Sequence, residues 1–460
     1  MEFRLDSPFE SWGGFSRTAE DSPIHYGKLR YAPDKGVELE LSENPWGVQS
    51  LQGGMPPVET MFGQLVDGTR ITLAGCMISN TAIQIGIGIG APTTIFAHRA
   101  LFGIHAESLD DLPIKEYTLE LSSLSNWTCA SPVKTTIVNG DADKPIGFDI
   151  QCRQPASIEV PMPAREFDVR IGHGIKTNSQ GCTTTATGSA GIAVVAHSSM
   201  PLQAAHEASW QCQNLMSLLI GDRLSVRAVS IVPLDEHEDS GKGRPLQLIY
   251  QQVGQHDRED LHPPLMLLPY SMIKEQYAAM VNSWFERSEQ AILATNVFFG
   301  AQGIISGAVN VKFLIAVQAA ESYHRALGTG VYMDHAAYEA AIQELTSHIP
   351  AAIQGDHRVS LKNRLKYGNE HSLRKRLTEL LNRLPEQVRL KIAEDCPKFV
   401  NRMVEVRNYY THYEHAAAVD GFDGKEVYTA AERIRILIVA NLLRDLGVPE
   451  DALLNVLQRS

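Results

Sequence analysis

From residue 27 onward, apolar and polar positions alternate one by one in short stretches: GKLRYA (Gly27–Ala32), GVELEL (Gly36–Leu41), TRITLAGC (Thr69–Cys76) and KEYTLEL (Lys115–Leu121). A period of two puts one set of side chains on each face of a strand. Asp-Lys-Gly and Asp-Gly punctuate these stretches as tight turns do. SIEVPM, EFDVRIG, RLSVRAVSIV and PLQLIYQQV extend the series, and so many short strands predict an all-β, sandwich-like domain.

The pattern breaks at GQHDREDLHPPL (Gly254–Leu265), where Pro263-Pro264 interrupts any regular element. Beyond it the apolar period lengthens to that of a helix. VKFLIAVQAAESYHRAL, DHAAYEAAIQELTSHI, HSLRKRLTELLNRL, EQVRLKIAEDC and KFVNRMVEVRNYYTHYE follow one another. In GKEVYTAAERIRILIVANLLRDLGV, Val427, Ala431, Ile434, Ile438 and Leu442 share one side and Gly447 stops the helix. The expectation is a multidomain chain: a β-rich domain over 1–262 and an all-α bundle over 263–460.

With 460 residues, 44% hydrophobic and 20% charged, the chain is long enough for two or three domains and lies in the ordinary globular range. The opening MEFRLDSPFESWGG has neither the basic start nor the apolar run of a signal peptide. IRILIVANLL is too short to span a bilayer and contains Arg435, so no membrane association is expected. The six cysteines are scattered without a two-residue spacing, which fits reduced thiols in a cytoplasmic protein. A net charge of −12 disfavours nucleic acid in general, yet Arg358 to Arg407 holds thirteen Lys/Arg against six Asp/Glu. That local excess of +7 is either a solvated helix face or the wall of an RNA cleft.

Several motifs fall away on inspection. IGIGIG (Ile85–Gly90) lacks both the Gly-Lys-Ser/Thr of a phosphate loop and the glycine spacing of a dinucleotide fingerprint; it reads as one strand with isoleucines on a single face. TGSAGIAV (Thr187–Val194) misses the Gly-x-Ser-x-Gly nucleophile elbow. Glu321 and His324 have the spacing of a di-iron carboxylate ligand pair, but the other Glu-x-x-His, Glu259 to His262, lies in the Pro-rich linker. No metal or cofactor is therefore expected. The pair suits a polar cleft, in which Glu321 would hold Arg407 or nearby backbone.

RNYYTH (Arg407–His412) remains. Arg-x4-His arises about once by chance in a chain of this composition, so its context carries the weight. Asn408 and His412 are one helical turn apart, whereas position 407 lies about 140° around the axis from 412. Arg407 and His412 meet only if the helix ends or distorts, or if a second subunit supplies one of them.

An Arg-Asn followed by three residues and His, near the end of a helix in an all-α domain closed by a long apolar helix, resembles the HEPN domains. FLIAVQAAESYHR and RIRILIVANLLRDLGV are similar to the ApeA-like branch. FESWGGFS, GKLRYAPDKGVELEL and MFGQLVDGTRITLAGC resemble the N-terminal domain of ApeA-type proteins. The resemblance covers most of the chain, loosely between about Ser122 and Pro263, and places the HEPN core at about 305–450.

What it implies is metal-independent RNA cleavage in anti-phage defence by abortive infection, leaving 2′,3′-cyclic phosphate and 5′-OH ends. His412 would be the general acid/base, Arg407 the phosphate-stabilising cation and Asn408 the orienting amide. Glu321, His324 and Tyr413 would support them, and His415 would be a bystander. Such domains act as homodimers or higher oligomers. Arg374, Lys375, Arg376, Lys398 and Arg402 would bind the RNA backbone, and the N-terminal domain would sense a phage-derived trigger. Two alternatives stay open: an inactive HEPN-like module that binds RNA or protein, and a carbohydrate-binding β-domain using Trp12, Trp46 or Trp127.

Overall fold

The computed structural model describes the chain except residues 1–2, 20–22, 47–59, 82–83, 87, 91, 131–132, 140–144, 182, 235–244, 253–258, 288, 303–307, 329, 413–422 and 460. It divides into two compact units, Met1–Asn282 and Ser283–Ser460. No described helix is long and apolar enough to cross a membrane.

In the first unit the strands are β1 (Phe9–Ser16), β2 (His25–Ala32), β3 (Gly36–Leu41), β4 (Thr60–Leu65), β5 (Arg70–Thr81), β6 (Gln84–Gly86), β7 (Gly88–Gly90) and β8 (Thr93–Phe102). They continue as β9 (Pro113–Leu121), β10 (Val133–Asn139), β11 (Pro145–Cys152), β12 (Ile158–Val160), β13 (Phe167–Gln180), β14 (Thr183–Pro201), β15 (Val226–Pro233) and β16 (Leu246–Tyr250). The order β8-β3-β2-β1-β4-β5 closes on itself because β5 also pairs with β8. The expected sandwich is thus a closed antiparallel barrel, which removes the free edges that a sandwich would leave there. Phe15, Leu29, Leu39, Ile71, Leu73 and Ile95 fill it and are fully buried. A Cβ at Gly63 would fall 2.4 Å from the Phe15 ring, so glycine there makes room for the largest of these side chains.

From β8 the sheet runs on through β16, β15, β9, β14, β13 and β12. IGIGIG is not a single strand: β6 and β7 fold back on each other, with Ile87 between them outside the described residues. The β-rich unit also holds helices that strand periodicity does not show, α1 (Leu124–Thr128) and the 19-residue α2 (Leu202–Ile220). The second covers one face of the sheet, where the Tyr117 hydroxyl meets His206 Nδ1 at 2.9 Å.

The division after Asn282 corrects the boundary drawn at residue 262. Residues beyond the proline pair pack on the first unit: Leu267 and Leu268 donate backbone N–H groups to Ile220 and Leu219, and Trp127 Nε1 donates to the Leu268 carbonyl at 2.7 Å. Trp127, fully buried, stacks obliquely on Tyr270 and Tyr277.

The second unit is helical: α3 (Glu289–Gln302), α4 (Val309–Ala326), α5 (His335–Ser347), α6 (Gly355–Lys366), α7 (Leu373–Asn382), α8 (Glu386–Ile392), α9 (Cys396–His412), α10 (Gly424–Asp445) and α11 (Glu450–Arg459). The apolar stripe of α10 is buried as its period requires, and Gly447, at φ +81°, takes the left-handed position beyond its end.

Candidate functional site

Helix α9 carries the Arg-Asn motif. Val400, Met403 and Val406 are its buried stripe, and Arg407 to Tyr410 are half-buried at its end. Arg407 Nη1 donates to Asn408 Oδ1 at 3.1 Å, and the Thr411 hydroxyl donates to the Arg407 carbonyl at 2.7 Å. Tyr409 and Tyr410 meet edge to face, with ring centroids 5.1 Å apart. The bond to Asn408 is neutral, so among the described residues no carboxylate answers the Arg407 charge. Asn408 keeps its amide N–H groups for another acceptor.

The helix is regular through His412, which leaves position 407 about 140° from position 412 on one chain. The side chain of His412, and all of Tyr413 and His415, lie outside the described residues.

The supporting residues are arranged differently from expectation. Glu321 makes no hydrogen bond with Arg407; its charge acts on Arg376 instead. His324 is 1% exposed and belongs to a separate network. Its Nε2 lies 2.6 Å from Glu379 Oε2, and its Nδ1 lies 3.2 Å from Arg376 Nη1. Glu379 also meets His371 Nδ1 at 3.2 Å and Lys375 Nζ at 3.1 Å. Burial lowers the His324 pKa against the pull of Glu379. Burial alone would raise Glu379, but hydrogen bonds from Lys375 and His324 hold it below the usual carboxylate range.

His324, His371 and Glu379 bring their ligand atoms within 4.8 Å of one another, a donor set known from zinc and non-haem iron sites. The chemistry here does not fit a cation. Arginine only donates, so His324 Nδ1 is the acceptor and its proton sits on Nε2, facing Glu379. Ligation through Nε2 would require a doubly deprotonated ring beside a guanidinium.

Of the basic residues assigned to RNA, Arg376 is a correction. It is 1% exposed, donates through Nε to the His371 carbonyl, and faces Glu370 at 3.6 Å. It sits at i+3 from Leu373 and one before Leu377 on the buried stripe of α7, so the helical period that buries those leucines buries it too. Arg402 is held by Glu426 at 2.9 Å and by Glu405 at 3.6 Å, and Lys375 by Glu379. Arg374 and Lys398 are exposed cations. Glu379 and His371 went unnoticed in the sequence; the usable signal was an arginine on an apolar stripe, which demands buried partners.

Among the tryptophans considered for sugar stacking, Trp127 is fully buried and unavailable, Trp46 lies beneath the Arg17 guanidinium, and Trp12 is 58% exposed.

No curated protein and no solved structure is significantly similar to the chain. Two family models do match: Apea-like HEPN over residues 314–452 and ApeA N-terminal domain 1 over residues 12–284. The strand-rich first unit and the helical second unit coincide with these two matches, and the chain belongs to the ApeA-like HEPN family of anti-phage proteins.

Proposed function

We propose that the chain is a metal-independent endoribonuclease acting in the cytoplasm in abortive infection, with its active centre formed where two copies bring Arg407, Asn408 and His412 to one cleft. The observation that carries this reading is an arginine at the end of α9 whose charge no described carboxylate answers, five positions before a histidine on the same helix. RNA supplies its own nucleophile, so the enzyme has only to move protons and stabilise charge on phosphorus.

In this reading His412 takes the proton of the 2′-OH as the 2′-oxygen bonds to phosphorus. The bond from phosphorus to the 5′-oxygen then breaks, and His412, now in its acid form, passes the proton to that oxygen. Arg407 neutralises the charge gathering on the non-bridging oxygens, and Asn408, through its remaining amide N–H groups, orients the phosphate. Arg374 and Lys398, both exposed, would attract the RNA backbone. The regular helix favours a dimeric centre over a single-chain one, since positions 407 and 412 lie about 140° apart around its axis on one chain. The N-terminal unit holds the nuclease inactive until it meets a phage-derived trigger.

The test is infection of cells carrying the wild-type chain or His412→Ala. The proposal expects early RNA loss and poor phage yield with the wild type alone; equal protection by the variant would refute it.

A further inference from the structure

One face of the sheet formed by β13, β14, β9, β15 and β16 is covered by α2. The opposite face carries a cavity of about 370 Å³, within the ~300–1,000 Å³ range of small-molecule sites. Its floor follows from the strand register. Gly172 lies opposite Gly191, Gly191 opposite Glu120, and Glu120 opposite Ala228. In the neighbouring row Arg170, Ala193, Thr118, Ser230 and Gln247 stand side by side. Small residues at the centre thus leave a hollow between polar walls. A Cβ built at Gly172 would meet nothing within 4 Å, so the space above it is open to a ligand.

The charged groups of the trough are already matched. Arg170 Nη2 lies 2.6 Å from Glu116 Oε1, and Arg4 grips Glu120 through both terminal nitrogens at 2.9 and 3.3 Å. An added anion would face Glu116 and Glu120, and an added cation would face Arg170 and Arg4. Hydrogen-bonding capacity is not exhausted. Glu116 Oε1 accepts from Arg170 and Thr118 while its other oxygen accepts from neither. Gln247 accepts from the Phe3 N–H through Oε1 and keeps its amide protons. Among the described residues the hydroxyls of Ser189 and Ser230 have no hydrogen-bond partner. Spare carboxylate lone pairs beside spare donors suit groups that both donate and accept. A flat floor of glycine backbone admits a ring.

We propose that this trough binds a small neutral ligand carrying vicinal hydroxyls, a free sugar or the ribose of a nucleoside. This assignment does not depend on the ribonuclease reading, because its readout is binding. The test is calorimetric titration of the full chain with glucose, galactose, ribose, adenosine and 2′-deoxyadenosine. At least one vicinal diol is expected to bind at micromolar to millimolar concentration. Adenosine without 2′-deoxyadenosine assigns the ribose of a nucleoside, and a sugar without adenosine assigns a free sugar. Gly172→Phe, whose ring fills the hollow without a backbone clash, is expected to abolish binding while the melting temperature holds. Ser230→Ala is expected to weaken it several-fold, and decides the matter if the phenylalanine variant does not fold. Binding by none of the five probes, or binding unchanged in the folded variants, overturns the assignment.

Discussion

Arg376 Nη1 lies 3.2 Å from His324 Nδ1, and this contact fixes which nitrogen of a buried imidazole carries the proton. Because guanidinium has no acceptor, the proton stands on Nε2, 2.6 Å from Glu379. α4 and α7 are thereby joined through polar atoms inside an otherwise apolar packing surface. A Cβ at Gly330 would come 2.9 Å from the same Arg376 nitrogen, so the chain leading into this region leaves space for the guanidinium.

Removing Arg376 should therefore destabilise the helical unit. Arg376→Met is expected to cost about 3 kcal/mol, at the low end for a broken buried pair because Glu370 keeps some solvent. Arg376→Lys should rescue little, since an ammonium cannot reproduce the bonds to the His371 carbonyl and His324 together. Urea melts followed by helical circular dichroism measure both.

Acid should weaken the same network. Burial holds the folded-state pKa of His324 below its ordinary 6.5, so in the window below 6.5 the unfolded chain binds more protons and stability falls as pH falls. Glu379, held below its ordinary 4.5, adds a further loss in the same direction at lower pH. Melting temperatures between about pH 7.5 and 5.5 should drop in the wild type, and the slope should flatten in His324→Asn.

The position of the unit boundary predicts the behaviour of fragments. Residues 1–282 should fold alone, whereas residues 1–262 should not, because Trp127 would lose its bond to Leu268 and its cover from Tyr270 and Tyr277. An aromatic side chain of this size loses roughly 3 kcal/mol or more with its packing. Limited proteolysis of the two fragments distinguishes them.

How much of this was legible in the sequence follows from the range of each interaction. Strands such as Gly36–Leu41 and helices such as Gly424–Asp445 announce themselves because their burial pattern repeats locally. Helix α6 has no buried residue, so it carries no apolar period to read. Closure of the barrel depends on β5 meeting β8, and the fate of Trp127 on a segment some 140 residues later; neither is encoded in spacing. Glu379 reaches His324 across 55 residues, which is why Glu321, with its suggestive i, i+3 relation to His324, drew attention in its place.

A centre shared by two copies makes a quantitative prediction. Arg407→Ala and His412→Ala chains should each be inactive, yet their mixture should recover activity if Arg407 of one copy serves His412 of the other. Half the dimers would be mixed, each with one of two centres intact, giving about a quarter of wild-type turnover. Recovery absent in a mixture shown to exchange subunits would place both residues on the same chain.

The most direct measurement is incubation of the purified chain, and separately of His412→Ala, with total cellular RNA in excess EDTA, with and without extract from infected cells. The account predicts cleavage that survives chelation, leaves 2′,3′-cyclic phosphate and 5′-OH ends, and disappears in the variant. Cleavage that needs a divalent ion, leaves 3′-OH ends or persists in His412→Ala would contradict it, as would intact RNA under both conditions.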